Sequence, residues 1–172
     1  MNIVIKEVSL DNIDTLVDLA KITFQQAYGS QNKAVDIADY LENNFNREEI
    51  KLEFNNRNNK FFMAYLRSQV VGYFKLSFSK VHKSFGTNKV IKLERLYLLK
   101  DYIGKKIGKK LMLKAIEVAK DHNIEYLWLG VWKENKRAVD FYKSWGFEIF
   151  AEELFFLGED TQEDWLMKKS LY

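Results

Sequence analysis

Arg95-Leu96-Tyr97-Leu98-Leu99-Lys100-Asp101-Tyr102-Ile103-Gly104-Lys105-Lys106-Ile107-Gly108-Lys109-Lys110-Leu111 reads as a strand that feeds a short loop and then a helix. The apolar run from Val90 to Leu99 supplies the strand, and apolar residues at helical spacing continue from about Lys106 to Asp121. Lys105, Lys106, Lys109 and Lys110 crowd the start of that helix, where cations oppose the macrodipole by about 0.3–1 kcal/mol each. A bound anion removes the conflict. Unpaired amides at the helix start, two glycines that let backbone approach a ligand, and the lysines together suit a pyrophosphate. The plain alternative is a lysine-rich exposed helix. A nucleotide-triphosphatase loop does not fit, since Gly104 and Gly108 stand one residue too close and Lys110 occupies the place of the required Ser or Thr. The dinucleotide fingerprint G-x-G-x-x-G is absent.

On either side of this unit the chain alternates between strand and helix patterns. Ile3 to Val8 suits a strand, and Ser9 or Asp11 can cap a helix carrying Ile13, Leu16, Val17, Ala20, Phe24 and Ala27 on one face. Two shorter helices are expected over about Val35 to Phe45 and after Asn46, the second with Glu48 and Glu49 in its first turn. Lys60 to Leu66 and Val70 to Ser79 form a hairpin pattern across Arg67-Ser68-Gln69, with a loop over Lys80 to Asn88. Downstream, Tyr126 to Val131 is a short apolar strand, Asn135 can cap a helix through Trp145, and two strands are expected near Phe147 to Phe156 and Trp165 to Lys169. Hairpins need antiparallel neighbours and the β-loop-α-β unit needs a parallel crossover. The expected fold class is therefore α/β (α+β), a mixed sheet with helices on both faces, in a single domain spanning residues 1–172.

Composition bounds the chemistry. With 172 residues, 47% of them hydrophobic, the chain can bury one core. No run approaches the ~18 apolar residues of a membrane helix, and Lys6 and Glu7 interrupt the N-terminal apolar stretch, so a cytoplasmic location is expected. The absence of cysteine excludes a thiol nucleophile, and His82 and His122 lack a metal-ligand spacing, so no metal is expected. Neither membrane nor nucleic acid is an expected partner. Charge is unevenly spread: seven lysines stand against Asp101 and Glu117 between Lys100 and Lys120, whereas Ser144 to Met167 holds seven acids and no base. Such blocks are either solvated faces or the places where an anion and a cation bind.

Leu127-Trp128-Leu129-Gly130-Val131-Trp132 and then Asn135, Ala138, Phe141, Tyr142, Gly146 and Phe147 at the spacing N-x-x-A-x-x-F-Y-x-x-x-G-F resemble the second half of the GNAT acetyltransferase site. The loop at residues 103–108 resembles that family's Q/R-x-x-G-x-G/A motif, with Ile103 in place of Gln/Arg, Lys106 in place of the middle Gly, and Gly108 matching. The Trp-Leu-Gly-Val-Trp run and the Gly158-Glu159-Asp160-x-Gln162 tail are similar to the spermine/spermidine branch. The resemblance covers roughly Leu93 to Phe147. It implies a GNAT fold, a twisted and mostly antiparallel sheet of six to seven strands, and direct acetyl transfer from the co-substrate acetyl-CoA to a primary amine.

The resemblance also assigns roles. The backbone of Leu96, Tyr97 and Leu98 would pair with pantetheine; Gly104, Lys105, Lys106, Ile107, Gly108 and Lys109 would hold pyrophosphate; Asn135 would contact CoA, a role compatible with a plain helix N-cap. Tyr142 would protonate the departing thiolate, since a phenol of pKa ~10 can reprotonate a thiolate whose acid has pKa ~8.5; a core aromatic is the alternative. Glu94 is the candidate base for the substrate ammonium, acting through water, against the alternative of a surface pair with Arg95. The implied acceptor is a small-molecule amine, a polyamine such as spermidine or spermine, and a homodimer is compatible with the reading. Glu152, Glu153, Glu159 and Asp160 are the acids expected to meet a polycation, unless they solubilise the C-terminal strands or pair with the basic block. A protein amine or aminoglycoside acceptor, and a non-catalytic CoA or polyamine sensor, are the competing readings.

Overall fold

Among residues 2–172, which the computed structural model describes, apolar alternation and turn residues build seven strands. They are β1 (Ile3–Glu7), β2 (Asn59–Leu66), β3 (Gln69–Ser77), β4 (Val90–Leu98), β5 (Tyr126–Trp132), β6 (Glu148–Leu157) and β7 (Asp160–Ser170), in one sheet of order β1-β2-β3-β4-β5-β7-β6. Every neighbouring pair is antiparallel except β4 and β5. Helices α1 (Ile13–Tyr28), α2 (Ala34–Asn44) and α3 (Arg47–Asn55) cover one face, while α4 (Ile107–Asp121) and α5 (Lys136–Ser144) cover the other. The expected mixed, mostly antiparallel sheet with helices on both faces is what the chain forms.

Alternation divides the core. Phe61, Met63 and Tyr73 pack with Leu16, Ala20 and Phe24 of α1, whereas Phe62, Ala64 and Phe74 pack with Ile107, Leu111 and Ala115 of α4. Both faces of the central strands β2 and β3 are thus buried, which explains continuous apolar runs where a half-exposed strand would alternate with polar residues. No helix among the described residues is long and apolar enough to cross a membrane.

Two irregularities in β4 shape everything around it. First, its parallel ladder with β5 holds only at Val90 with Tyr126, Ile91 with Leu127 and Lys92 with Trp128; beyond that the strands separate. The β5-facing edge of β4 from Leu93 to Leu98 is left without a strand partner. Second, Lys75 pairs with Arg95 but Leu76 pairs with Leu93, so Glu94 is an extra residue in a β-bulge. The bulge keeps Leu93, Leu96 and Leu98 against α4 and α5, and it places Glu94 and Arg95 side by side on the α1 face, where strict alternation would send them to opposite sides.

The C-terminal hairpin departs from expectation. β7 starts at Asp160 rather than near Trp165, because Gly158 takes φ +61° in a tight turn that lets the acidic run pair with β6. The loop at residues 80–88 contains a short 3-10 turn, Lys83–Phe85, and Phe85 is buried beside Trp128, Tyr126 and Phe150.

Candidate active site

The chain leaves β4 through a 3-10 turn at Lys100–Tyr102, and Gly104 (φ +83°) and Lys106 (φ +62°) then reverse the backbone into α4. Lys106 is the N-cap of α4 and its side chain makes no capping bond. The amides of Gly104 to Lys109 find no acceptor outside the helix among the described residues. That leaves a set of unpaired donors at a helix start. Ile107 supplies only its amide, since its side chain is buried in the core, whereas Lys105, Lys106 and Lys109 are exposed. A Cβ added at Gly108 would lie 3.7 Å from Phe141 and 3.8 Å from Leu98, so this glycine sits where α4, α5 and β4 converge. The residues expected to hold pyrophosphate are therefore one continuous turn, and the expected pantetheine strand, Leu96 to Leu98, is the unpaired part of β4.

Asn135 is an N-cap: its Oδ1 accepts from Ala138 N at 3.2 Å and starts α5. About two turns further on, Tyr142 is half-buried, its ring 5.4 Å from Phe141 and 5.7 Å from Phe147. Burial, and then the neighbouring Tyr97, push the Tyr142 phenol above its ordinary value, so it stays protonated at neutral pH.

On the α1 face, a cavity of about 150 Å³ opens beside the strand separation. Its aromatic walls are Phe24 and Tyr28 from α1, Tyr40 from α2, Tyr97, Trp132 and Phe155. Its ionisable groups are Lys92, Glu94, Arg95, Glu153 and Asp164, and Gly130 and Gln162 complete it. Tyr28 Oη and Tyr97 Oη lie 3.3 Å apart; burial pushes Tyr28 up to about 12, partly offset by that hydrogen bond.

Glu94 is not paired with Arg95. It bonds Lys75, a buried lysine whose Nζ is also 2.9 Å from Glu53 of α3, and Arg95 donates two bonds to Glu53 at 2.7 and 2.9 Å. Two cations and two anions thus form a charge-balanced chain, Glu94–Lys75–Glu53–Arg95, beneath the bulge. Burial pushes the Glu53 carboxyl up, but Arg95 and Lys75 outweigh it and hold the group below its ordinary value.

The acidic segment is sorted by strand alternation. Glu152 and Glu163 bond Lys133, at 2.5 and 2.8 Å, and that lysine lies over the Trp165 ring at 4.0 Å. Glu159 is at the hairpin tip, 4.0 Å from Lys33, and Asp160 accepts from Gln162 at 3.1 Å. Of the four acids singled out in the sequence, only Glu153 lines the cavity. Its cross-strand partner there is Asp164, directly opposite in the β6–β7 register. Burial first, and then Glu153, push Asp164 up to about 6, with Lys92 opposing. Gln162, two residues earlier and on the same face, is 5% exposed; its Nε2 donates to Asn32 at 2.8 Å and its Oε1 has no partner. Such an orphaned acceptor costs about 1–3 kcal/mol.

The sequence named Gln162 only within the tail that resembles the spermine/spermidine branch, without a role, and did not single out Asp164 or the aromatic wall from α1 and α2. The i, i+2 spacing of Gln162 and Asp164 within one strand pattern is the signal that could have joined them.

A profile of the "Acetyltransferase (GNAT) family" matches residues 21–147. An uncharacterised N-acetyltransferase of Lactobacillus delbrueckii subsp. lactis is 32% identical over 167 residues, 97% of this chain and 96% of that protein. The spermidine N(1)-acetyltransferase of Thermoplasma acidophilum is 28% identical over 174 residues, 98% of each chain. The crystal structure of a PaiA N-acetyltransferase from the same organism, in complex with coenzyme A, superimposes with TM-score 0.79 at 25% identity over 99% of both chains.

Proposed function

Because this chain belongs to the GNAT acetyltransferase family and is an acetyl-CoA-dependent N-acetyltransferase, we propose that its acceptor is a primary amine of a polyamine such as spermidine or spermine. One observation carries this reading: in the cavity beside the strand separation, aromatic rings surround Glu153 and Asp164, which bond no lysine or arginine, whereas Arg95 and Glu94 of the same lining are already paired with Glu53 and Lys75, an arrangement suited to an organic cation. Similarity along the whole chain to a spermidine acetyltransferase supports it.

Acetyl-CoA supplies the acyl group as a thioester. The unpaired edge of β4 at Leu96, Tyr97 and Leu98 offers amide and carbonyl groups to its pantetheine arm, and the free amides of Gly104 to Lys109 offer donors to its pyrophosphate, with Lys105, Lys106 and Lys109 adding charge. Asn135, having capped α5, keeps its Nδ2 for CoA. In the transfer the amine nitrogen forms a bond to the acyl carbon while the carbon–sulfur bond breaks. Glu94 accepts the ammonium proton through water, Tyr142 gives its proton to the departing sulfur, and the second proton that the nitrogen sheds on becoming an amide restores the Tyr142 phenol. The bond from Lys75 fixes the position of the Glu94 carboxyl beneath the bulge.

Tyr142→Phe tests the assignment. The ring still packs, so acetyl-CoA affinity should hold while kcat falls about tenfold or more, as for loss of a general acid. Unchanged kcat in a thiol-release assay with spermidine would leave Tyr142 a packing residue.

A further inference from the structure

We propose that Glu153 and Asp164, which flank Gly130, together with Gln162 further along the same cavity wall, hold an ammonium group of the acceptor that stays charged during the reaction, so that the acceptor carries a second amine beyond the one acetylated. This rests on the acetyltransferase reading above and names the part of its cavity that selects the substrate.

Gly130 leaves a gap in the β5 face of the cavity. A Cβ there would stand 3.5 Å from Asp164 Oδ2 and 3.8 Å from Glu153 Oε1, so both carboxylates flank one point. No lysine or arginine bonds either group, whereas neighbouring Glu152 and Glu163 are occupied by Lys133. Two like charges placed directly opposite on paired strands repel, and a cation between them reverses the sign of that interaction. The burial and crowding that push Asp164 up to about 6 describe the same unmet demand.

Gln162 adds an independent observation. A carboxylate can only accept, so the bond from Gln162 to Asp160 fixes which end of the amide is nitrogen; Asn32 takes the second Nε2 hydrogen. Oε1 is then held as a buried acceptor with no donor in the protein. An alkylammonium carries three N–H donors and so suits two carboxylates and an amide oxygen, with Trp132, Tyr28 and Phe155 flanking its methylenes. The attacking nitrogen must be neutral, and a carboxylate pair favours the charged form. The amine held here is therefore the one that does not react.

The test compares 1,5-diaminopentane with 1-aminopentane as acceptors for the full-length wild type, Asp164→Asn and Gln162→Met. In the wild type kcat/KM should favour the diamine, and Asp164→Asn should cut that preference about tenfold, mainly through KM. Gln162→Met should cut it about threefold or more. Glu152→Gln, bonded to Lys133 outside the cavity, should keep it. The diamine should also raise the melting temperature of the wild type more than that of Asp164→Asn. A preference indifferent to both cavity substitutions overturns the ammonium site while acetyl transfer stands. Absence of acetyl transfer to any amine overturns the parent reading instead, and the thermal shift with the diamine then still decides whether the site binds an ammonium.

Discussion

Asp164 carries a pH signature that can be measured without any substrate. Its folded value of about 6 lies above the ~3.9 of an unfolded aspartate, so between these values the native state holds more protons than the unfolded chain. Its favourable contribution is complete below about pH 4 and is lost as pH rises through 6. The groups facing it are Glu153 from β6, Lys92, Glu94, Arg95 and Tyr97 from β4, Tyr28 from α1 and Tyr40 from α2. The unfavourable difference at pH 7 is at most about 3 kcal/mol, lessened by solvent at a half-buried site. Asp164→Asn should therefore gain about 1–3 kcal/mol over wild type in urea unfolding at pH 7 and almost nothing at pH 4. Equal curves at both values would mean that solvent already screens the carboxylate. Glu53, held low by Arg95 and Lys75, acts with the opposite sign, which is why the comparison is made between variant and wild type. None of this was legible in the sequence. Asp164 was one of seven acids there, and only the β6–β7 register singles it out against Glu153.

At the scale of elements, the start of α4 was the most readable part of the chain and also contains its clearest local conflict. Lysine clustering and glycine spacing placed the turn correctly, and the structure adds that Lys106 is held at φ +62°. A left-handed non-glycine residue costs about 1–2 kcal/mol, and a cation at a helix start adds a few tenths more. Glycine would be free of both but loses about 0.5–1 kcal/mol of unfolded-state entropy. Lys106→Gly is expected to stabilise the ligand-free protein by about 1 kcal/mol while reducing the thermal shift given by acetyl-CoA. A loss of stability would show that the Lys106 side chain makes contacts that outweigh the strain. The Asn135 cap and α5 were legible for the same reason, since both are local patterns. The bulge at Glu94 and the early start of β7 were not: each depends on a partner strand that local propensity does not contain.

For the molecule as a whole, the separation of β4 from β5 joins two faces that a continuous sheet would isolate. The lysine-rich turn before α4, Asn135 and Tyr142 belong to the α4–α5 side, and the acidic, aromatic cavity belongs to the α1–α2 side. An extended ligand lying along the free β4 edge can therefore present its reactive end to the amine cavity while its phosphates rest on α4. Such a ligand bridges elements far apart in sequence and should stabilise the fold by linkage. At a hundredfold excess over Kd the gain is about 2.7 kcal/mol, on the order of 5–10 °C in melting temperature for a chain of this size. Acetyl-CoA should produce that shift. Pantetheine, which can meet the β4 edge but brings no pyrophosphate to Gly104–Lys109, should produce much less, and rising salt should shrink the difference between them because the phosphate contacts are screened. Equal shifts from the two ligands would place the binding energy on β4 alone. No shift at millimolar acetyl-CoA would remove the turn before α4 from the site, since its free amides would then have no ligand to explain them.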